Sequence, residues 1–392
     1  MGHIILSGKD LAEMTTDMWA SILEQDELSL LRRMCRIPAP SLHEEKRAEA
    51  VAKWLTDHNV SCAIDTAGNV RAAFGSGDPV QVINAHMDVV FPDTDELPLR
   101  EDEEKIYAPG VGDDTANLCV LMLAAMVARR EQWVPRKGTV LLVFGTGEEG
   151  LGNLKGTREI MKEYGSRVES WIALDGGLAA MVDTAVGSHR YKITVRTEGG
   201  HSYGNFGRPN AIAKLAEIIS ELYQTKLPRE GYTTYNVGII NGGTSINTIA
   251  QEAYMLYEYR SERADNLSYM EQNLKKVLTA AAPHGEDITC ERIGERPGQG
   301  NVNPLALDQL AHRCIARMKQ YNGGVEPSRG SGSTDCNIPL SMGIPAVCFG
   351  CYRGKGAHTR EEYVETASLL PGLRLGLKIV EDAFTRIWED EE

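Results

Sequence analysis

Apolar and polar positions along the chain follow two periods. Spacings of three and four dominate residues 8–36 and 43–57 and predict helices there. Short continuous apolar runs follow at 80–85 (VQVINA), 139–144 (TVLLVF), 171–174 and 345–349, each the length of a buried strand. Helices are predicted between them over 115–130 and 155–164, the first with Asp113 and Asp114 at its start, where carboxylates suit the positive end of the dipole. Buried strands separated by helices predict an α/β fold, a mostly parallel sheet flanked by helices on both faces.

The period changes after residue 188. Tyr191, Ile193 and Val195 alternate with polar residues, as in a half-exposed strand. A helix over 211–224, strands over 233–240 and 253–260, a helix over 267–281 and a strand over 288–293 complete the order β-α-β-β-α-β. That is the ferredoxin-like α+β unit. It predicts a domain of residues 188–300 inserted into a first domain made of 1–187 and 301–392. Gly187 and the segment 297–304 (PGQGNVNP) supply the loop chemistry at the joints.

Composition narrows the function. Among 392 residues, 41 Lys and Arg face 55 Asp and Glu, a net charge of −14. That balance argues against a nucleic-acid partner and against an anionic membrane surface. The longest apolar run, 118–128, is too short to span a bilayer. The first residues lack the basic segment and apolar stretch of a signal peptide. The eight cysteines are scattered, several in apolar runs, so free thiols and a cytoplasmic location are expected.

Side chains that bind cations follow the strands. His86-Met87-Asp88 comes after 80–85, Asp113-Asp114 after the loop APGVG, Glu148-Glu149 after 139–144, and Asp175 after 171–174. His358 comes after the last strand and a Gly-rich loop. The carboxyl ends of the strands form the ligand crevice of an open α/β sheet, so these residues can converge there. Singly, each has an ordinary reading: a hydrogen-bonded histidine, a helix N-cap, a solvated glutamate pair. Together they recur at one structural position. Several carboxylates gathered in one crevice repel each other unless cations join them. Imidazole with carboxylate suits a pair of divalent metals, zinc first, with cobalt or manganese as substitutes. One glutamate of the 148–149 pair is left over to act as a general base.

His86-x-Asp88, Gly-x-Gly-Asp-Asp, Gly-Glu-Glu-Gly, Asp175 and His358 resemble the motifs of the co-catalytic zinc exopeptidase and deacylase family, from about residue 25 to 385. That family includes peptidase T, carboxypeptidase G and succinyl-diaminopimelate desuccinylase. The resemblance implies that His86 and Asp175 bind one metal and Glu149 and His358 the other, with Asp113 bridging. It also implies that Asp88 orients His86 and that Glu148 is the general base acting on a water held between the metals. The inserted domain matches the family's lid, or dimerisation, domain. There His201 would reach the partner subunit's site and hold the oxyanion, while Asn247 and Arg260 match substrate-touching positions. The segment 332–335 (GSTD) resembles a substrate loop. Many relatives carry Lys where this chain has Thr115, and the residues around His201 (SYGNFG) also differ.

The expected reaction is hydrolysis of an amide bond in a di- or tripeptide, in the manner of an aminopeptidase, by a homodimer joined through the lid. The alternative within the family is an N-acyl-amino-acid deacylase or carboxypeptidase, which uses the same metal centre. Arg260 would suit a carboxylate through its planar fork. Two other classes compete. GTGEEG (145–150) reads as the dinucleotide fingerprint of an NAD(P)-dependent oxidoreductase, but its two glutamates oppose a phosphate. Cys348 and Cys351 form a CxxC, but at the end of a strand, whereas the redox motif opens a helix.

Overall fold

The computed structural model describes residues 14–282 and 287–385; positions 8–13 of the first predicted helix lie outside them. The chain divides into two units, Met1–Asp183 with Asn301–Glu392, and Thr184–Gly300.

The first unit is built on an eight-stranded sheet. Its centre is four parallel strands in the order Thr139–Gly145, Val80–His86, Val168–Leu174 and Ala346–Phe349. The first two are buried along their whole length, which is why they read as unbroken apolar runs. Antiparallel strands complete the edges, Val70–Gly75 against Thr139–Gly145 and Ala180–Ala185 against Ala346–Phe349. The helix Asn117–Arg130 packs on the three strands ending at His86, Gly145 and Leu174. Thr366–Thr385 packs in turn on that helix, on Thr16–Cys35 and on Pro304–Tyr321. Among the described residues, Val111–Arg130 alone is long and apolar enough to cross a bilayer, yet 94% of its most apolar window is buried. None of the eight cysteines forms a disulfide.

Thr16–Cys35 is fixed by its own signals. The Thr15 hydroxyl accepts from the Met18 N–H at the N-terminus, and Trp19, Ala20, Leu23, Leu30, Leu31 and Met34 form its buried stripe. Glu27 sits in the middle of that stripe, 2% exposed, with Oε2 lacking a hydrogen-bond partner among the described residues. Burial, helped by the charge of Glu24, pushes its carboxyl from 4.5 up to about 8. Because the folded value is raised, the stability tied to the protonated form is complete below pH 4.5 and is lost as pH rises through about 8. Glu27→Gln is therefore expected to stabilise the protein increasingly between about pH 5 and pH 9, reaching on the order of a few kcal/mol. Thermal melts of parent and variant across that range check it, and equal Tm differences at every pH would contradict it.

The second unit is a four-stranded antiparallel sheet in the order Thr233–Gly242, Glu252–Ser261, Gly187–Arg196, Asp287–Arg296. Helices Ala211–Leu222 and Ala264–Ala281 pack on it around Ile193, Met255, Tyr257, Leu215 and Met270. In chain order this is β-α-β-β-α-β, with the first and third strands central.

Candidate metal centre

Strand register sets the site. His86 lies opposite Gly145, Asn84 opposite Ala173, and Leu174 opposite Phe349. The four parallel strands thus end at one rim, and His86, the Glu148-Glu149 loop, Asp175 and the segment leading to His358 all leave from it. Asp113 reaches the rim from the irregular turn Val111–Ala116, where the Asp113-Asp114 peptide is cis.

His86 Nε2 lies 3.1 Å from Asp113 Oδ1. His358 Nε2 lies 3.2 Å from Asp113 Oδ2 and 3.0 Å from Glu149 Oε1. Asp113 therefore turns one oxygen to each imidazole. Among the described residues, ligand-type atoms lie within 4.8 Å of one another in three sets: His86, Asp113 and Asp175; Asp113, Glu149 and His358; and His86, Glu148 and Glu149. His86, Glu148 and Glu149 are buried and His358 is the most exposed.

This cluster demands positive charge. Burial opposes the charged imidazolium of His86, but the Asp114 charge and hydrogen bonds with Asp113 and Asp88 outweigh it and raise its pKa well above 6.5. Hydrogen bonds with Asp113 and Glu149 raise His358 to about 10. Burial also opposes ionisation of Asp113, yet bonds from His358 and His86 hold its carboxyl far below the usual range. Burial and the Asp113 charge lift Asp175 to about 7. A divalent cation answers the same demand as these protons, and imidazole binds metal only after losing its own. The donor set of imidazoles and carboxylates, with Asp113 in two of the three groups, fits one or two such ions.

Buried polar groups hold the cluster in shape. The Asp88 carbonyl lies 3.0 Å from His86 Nδ1, closer than its carboxylate at 3.5 Å. An Nδ1–H bond to that carbonyl turns Nε2 toward Asp113, where it donates as an N–H and would offer its lone pair to a cation only after losing that proton. The Asp88 carboxylate accepts the N–H groups of Glu148 (3.0 Å) and Glu149 (2.9 Å) and the Ser41 hydroxyl (2.7 Å). Asp88 thus positions three side chains of the rim, where the motif suggests one. Asp114 is fully buried, accepting from the His86 N–H (2.9 Å) and from Asn117 Nδ2 (2.6 Å). Arg47, absent from the sequence reading, is also fully buried. Its guanidinium donates to the carbonyls of Met87 (2.8 Å) and Ile37 (3.1 Å) and to the Thr115 hydroxyl (3.3 Å). It stands four residues before Val51 and seven before Trp54, on the buried face of its helix.

The other residues named from sequence divide by unit. Asp335 is buried in the first, accepting from Asn84 Nδ2 (2.6 Å) and the Thr157 hydroxyl, so its carboxylate ties its loop to the sheet. In GTGEEG the helix begins only at Lys155, and Asp88 occupies the N–H groups of Glu148 and Glu149 that a phosphate would need. Cys348 and Cys351 are buried thiols. In the second unit His201 and Asn247 come together: Gly200–His201 pairs with Thr248–Ile249, and the Asn247 carbonyl accepts from the Ser202 N–H (3.0 Å). His201 is exposed, its Nδ1 accepting from the N–H groups of Tyr203 (3.2 Å) and Gly204 (3.3 Å). Arg260 is bound through its fork to Glu258 at 3.0 and 3.1 Å.

Known proteins share this fold. The chain is 26% identical over 359 residues to succinyl-diaminopimelate desuccinylase of Corynebacterium glutamicum, covering 86% of this chain and 91% of that one. A tripeptidase of Staphylococcus aureus superposes with a TM-score of 0.70 at 24% identity, over 91% of this chain and 98% of its own. Aminopeptidase PepT of Bacillus cereus does so at 0.69 and 20% identity, over 92% and 98%. The match to the family model Peptidase family M20/M25/M40 runs over residues 82–382, from inside the strand that ends at His86 to beyond His358, and the chain belongs to that family of hydrolases.

Proposed function

We propose that this hydrolase is metal-dependent and cleaves an amide bond in small peptides, as a di- or tripeptide exopeptidase of aminopeptidase type. The observation that carries the reading is Asp113, with its two oxygens 3.1 and 3.2 Å from the imidazoles of His86 and His358. In this reading His86, Asp113 and Asp175 hold one divalent ion, and Asp113, Glu149 and His358 another. Zinc suits the donors best, and cobalt or manganese can replace it. Such ions, when bound, polarise a carbonyl and lower the pKa of water. Glu148 takes the proton of the attacking water and delivers it to the leaving amine. Asp88 fixes the peptide on which Glu148 stands.

The segment Thr184–Gly300 is assigned the roles of lid and dimerisation surface. His201 accepts through Nδ1, which leaves its ring proton on Nε2 as a donor suited to a developing oxyanion. Asn247 and Arg260 are assigned to the substrate, Arg260 exchanging Glu258 for a substrate carboxylate. A homodimer through this unit is supported by its strand Thr233–Gly242, which stands at the edge of the sheet among the described residues with Ile239 and Ile240 half exposed. Light scattering of the purified protein tests the dimer.

A second reading, removal of an N-acyl group from an amino acid, is favoured by the desuccinylase named above. One assay separates the two. Zinc-, cobalt- and manganese-loaded protein is offered di- and tripeptides, N-succinyl and N-acetyl amino acids and C-terminally blocked peptides, with chelated protein as control. Peptide cleavage in the loaded forms is expected. Cleavage of acyl amino acids alone favours the second reading, and no amide hydrolysis in any form refutes both.

A further inference from the structure

We infer that Glu362 is a positioning residue for the Asp113 carboxylate, holding the loop that bears Asp113 against the turn that bears His358. Glu362 is 2% exposed. Its Oε1 accepts the N–H groups of Gly112 and Asp113, each at 2.8 Å, and its Oε2 accepts that of Gly110 at 2.9 Å. Convergent backbone N–H groups of this kind form an anion-binding nest. Here the anion is supplied from within the chain, some 250 residues downstream.

The fold explains why the two meet. Lys105–Tyr107 and Tyr363–Glu365 pair antiparallel, Tyr107 opposite Tyr363. The Asp113 loop leaves one strand just where Glu362 enters the other. The loop also has little freedom to take another shape. Gly110 has φ +71°, and a Cβ there would come within 2.3 Å of Val89; a Cβ on Gly112 would come within 2.6 Å of the Tyr352 ring. On the other side the turn is closed by the Thr359 N–H and hydroxyl on the Gly356 carbonyl (2.9 and 2.7 Å) and the Glu362 N–H on the Thr359 carbonyl (3.2 Å). His358 stands inside it at φ +65°, a conformation a histidine keeps only when its surroundings enforce it. One short turn therefore grips the Asp113 segment twice, through its N–H groups with Glu362 and through its carboxylate with His358.

The inference rests on the two-ion reading proposed above, and its test separates the two. The probe is Co2+ alone, titrated into chelated protein and followed by its visible absorption, with kcat and KM measured at saturating metal. Glu362→Ala removes all three acceptor contacts. Glu362→Gln keeps an oxygen for Gly112 and Asp113 but turns an amide donor toward the Gly110 N–H. Cobalt affinity is expected to fall about 10–100-fold in the alanine variant, less in the glutamine variant, with an altered spectrum and kcat reduced more than KM is raised. If the alanine variant fails to fold, as its melt would reveal, the glutamine variant carries the test. Wild-type affinity and spectrum in folded variants overturn the positioning role alone. Failure of the parent protein to bind Co2+ overturns the two-ion reading and this inference with it.

Discussion

Glu148→Gln is expected to cut amide hydrolysis about 10²–10⁴-fold while the bound ions stay in place. The side chains of Glu148 and Glu149 follow one another on a single loop, and both backbone N–H groups are fastened to the Asp88 carboxylate at 3.0 and 2.9 Å. A carboxylate oxygen of each comes within 4.8 Å of the other and of a His86 ring nitrogen, so what separates the two is the second partner each has. Glu149 Oε1 is 3.0 Å from His358, whereas the ligand-type atoms grouped with Glu148 are those of His86 and Glu149. Glutamine keeps the size and the backbone contacts of Glu148 but cannot take up a proton. The loss should therefore fall on kcat, with KM and metal content as in the parent. Glu149→Gln is the control, since it should lower metal content first. Parent-like turnover in a metal-loaded Glu148→Gln protein would assign the base to another residue.

The rim was legible in the sequence because it follows from simple geometry. Strands that are buried on both faces read as continuous apolar runs, and parallel strands end together, so polar residues just past each run must meet. His86, Glu148, Glu149 and Asp175 were visible in this way. The choice of Asp113 over Asp114 came from the family resemblance alone, because adjacent carboxylates look alike in a sequence. Only the backbone of the turn decides that Asp113 faces the imidazoles while Asp114 is buried against the His86 N–H. Glu362 and Arg47 escaped for a related reason. Each acts through backbone atoms distant in the chain, Glu362 on 110–113 and Arg47 on Ile37 and Met87, and backbone acceptors and donors leave no residue-type signature. The helix Pro304–Tyr321 was missed although its signals are plain: Asn303 caps it, proline opens it, and Leu307, Leu310, Ala311, Cys314, Ile315 and Met318 form its buried stripe.

Asp113→Asn is expected to reduce metal content from about two ions per chain to about one, and hydrolysis more than about 10⁴-fold, beyond the range for loss of a base alone. In the proposed centre the carboxylate would serve both halves because its oxygens are equivalent, Oδ1 toward His86 and Oδ2 toward His358. An amide has one acceptor oxygen and one NH2 group, so it can complete one half while presenting donors to the other. The substitution also removes a negative charge between two imidazoles whose pKa values are raised partly by it. The nest around Glu362 uses the backbone N–H of residue 113 and is untouched by the change of side chain, so the loop should keep its place. Thermal melts of the chelated proteins should therefore agree more closely than their metal contents. Atomic absorption on dialysed protein gives the decisive count. Two ions retained in the asparagine variant would mean that Asp113 does not join the halves of the centre, and the arrangement proposed for this site would then have to be abandoned.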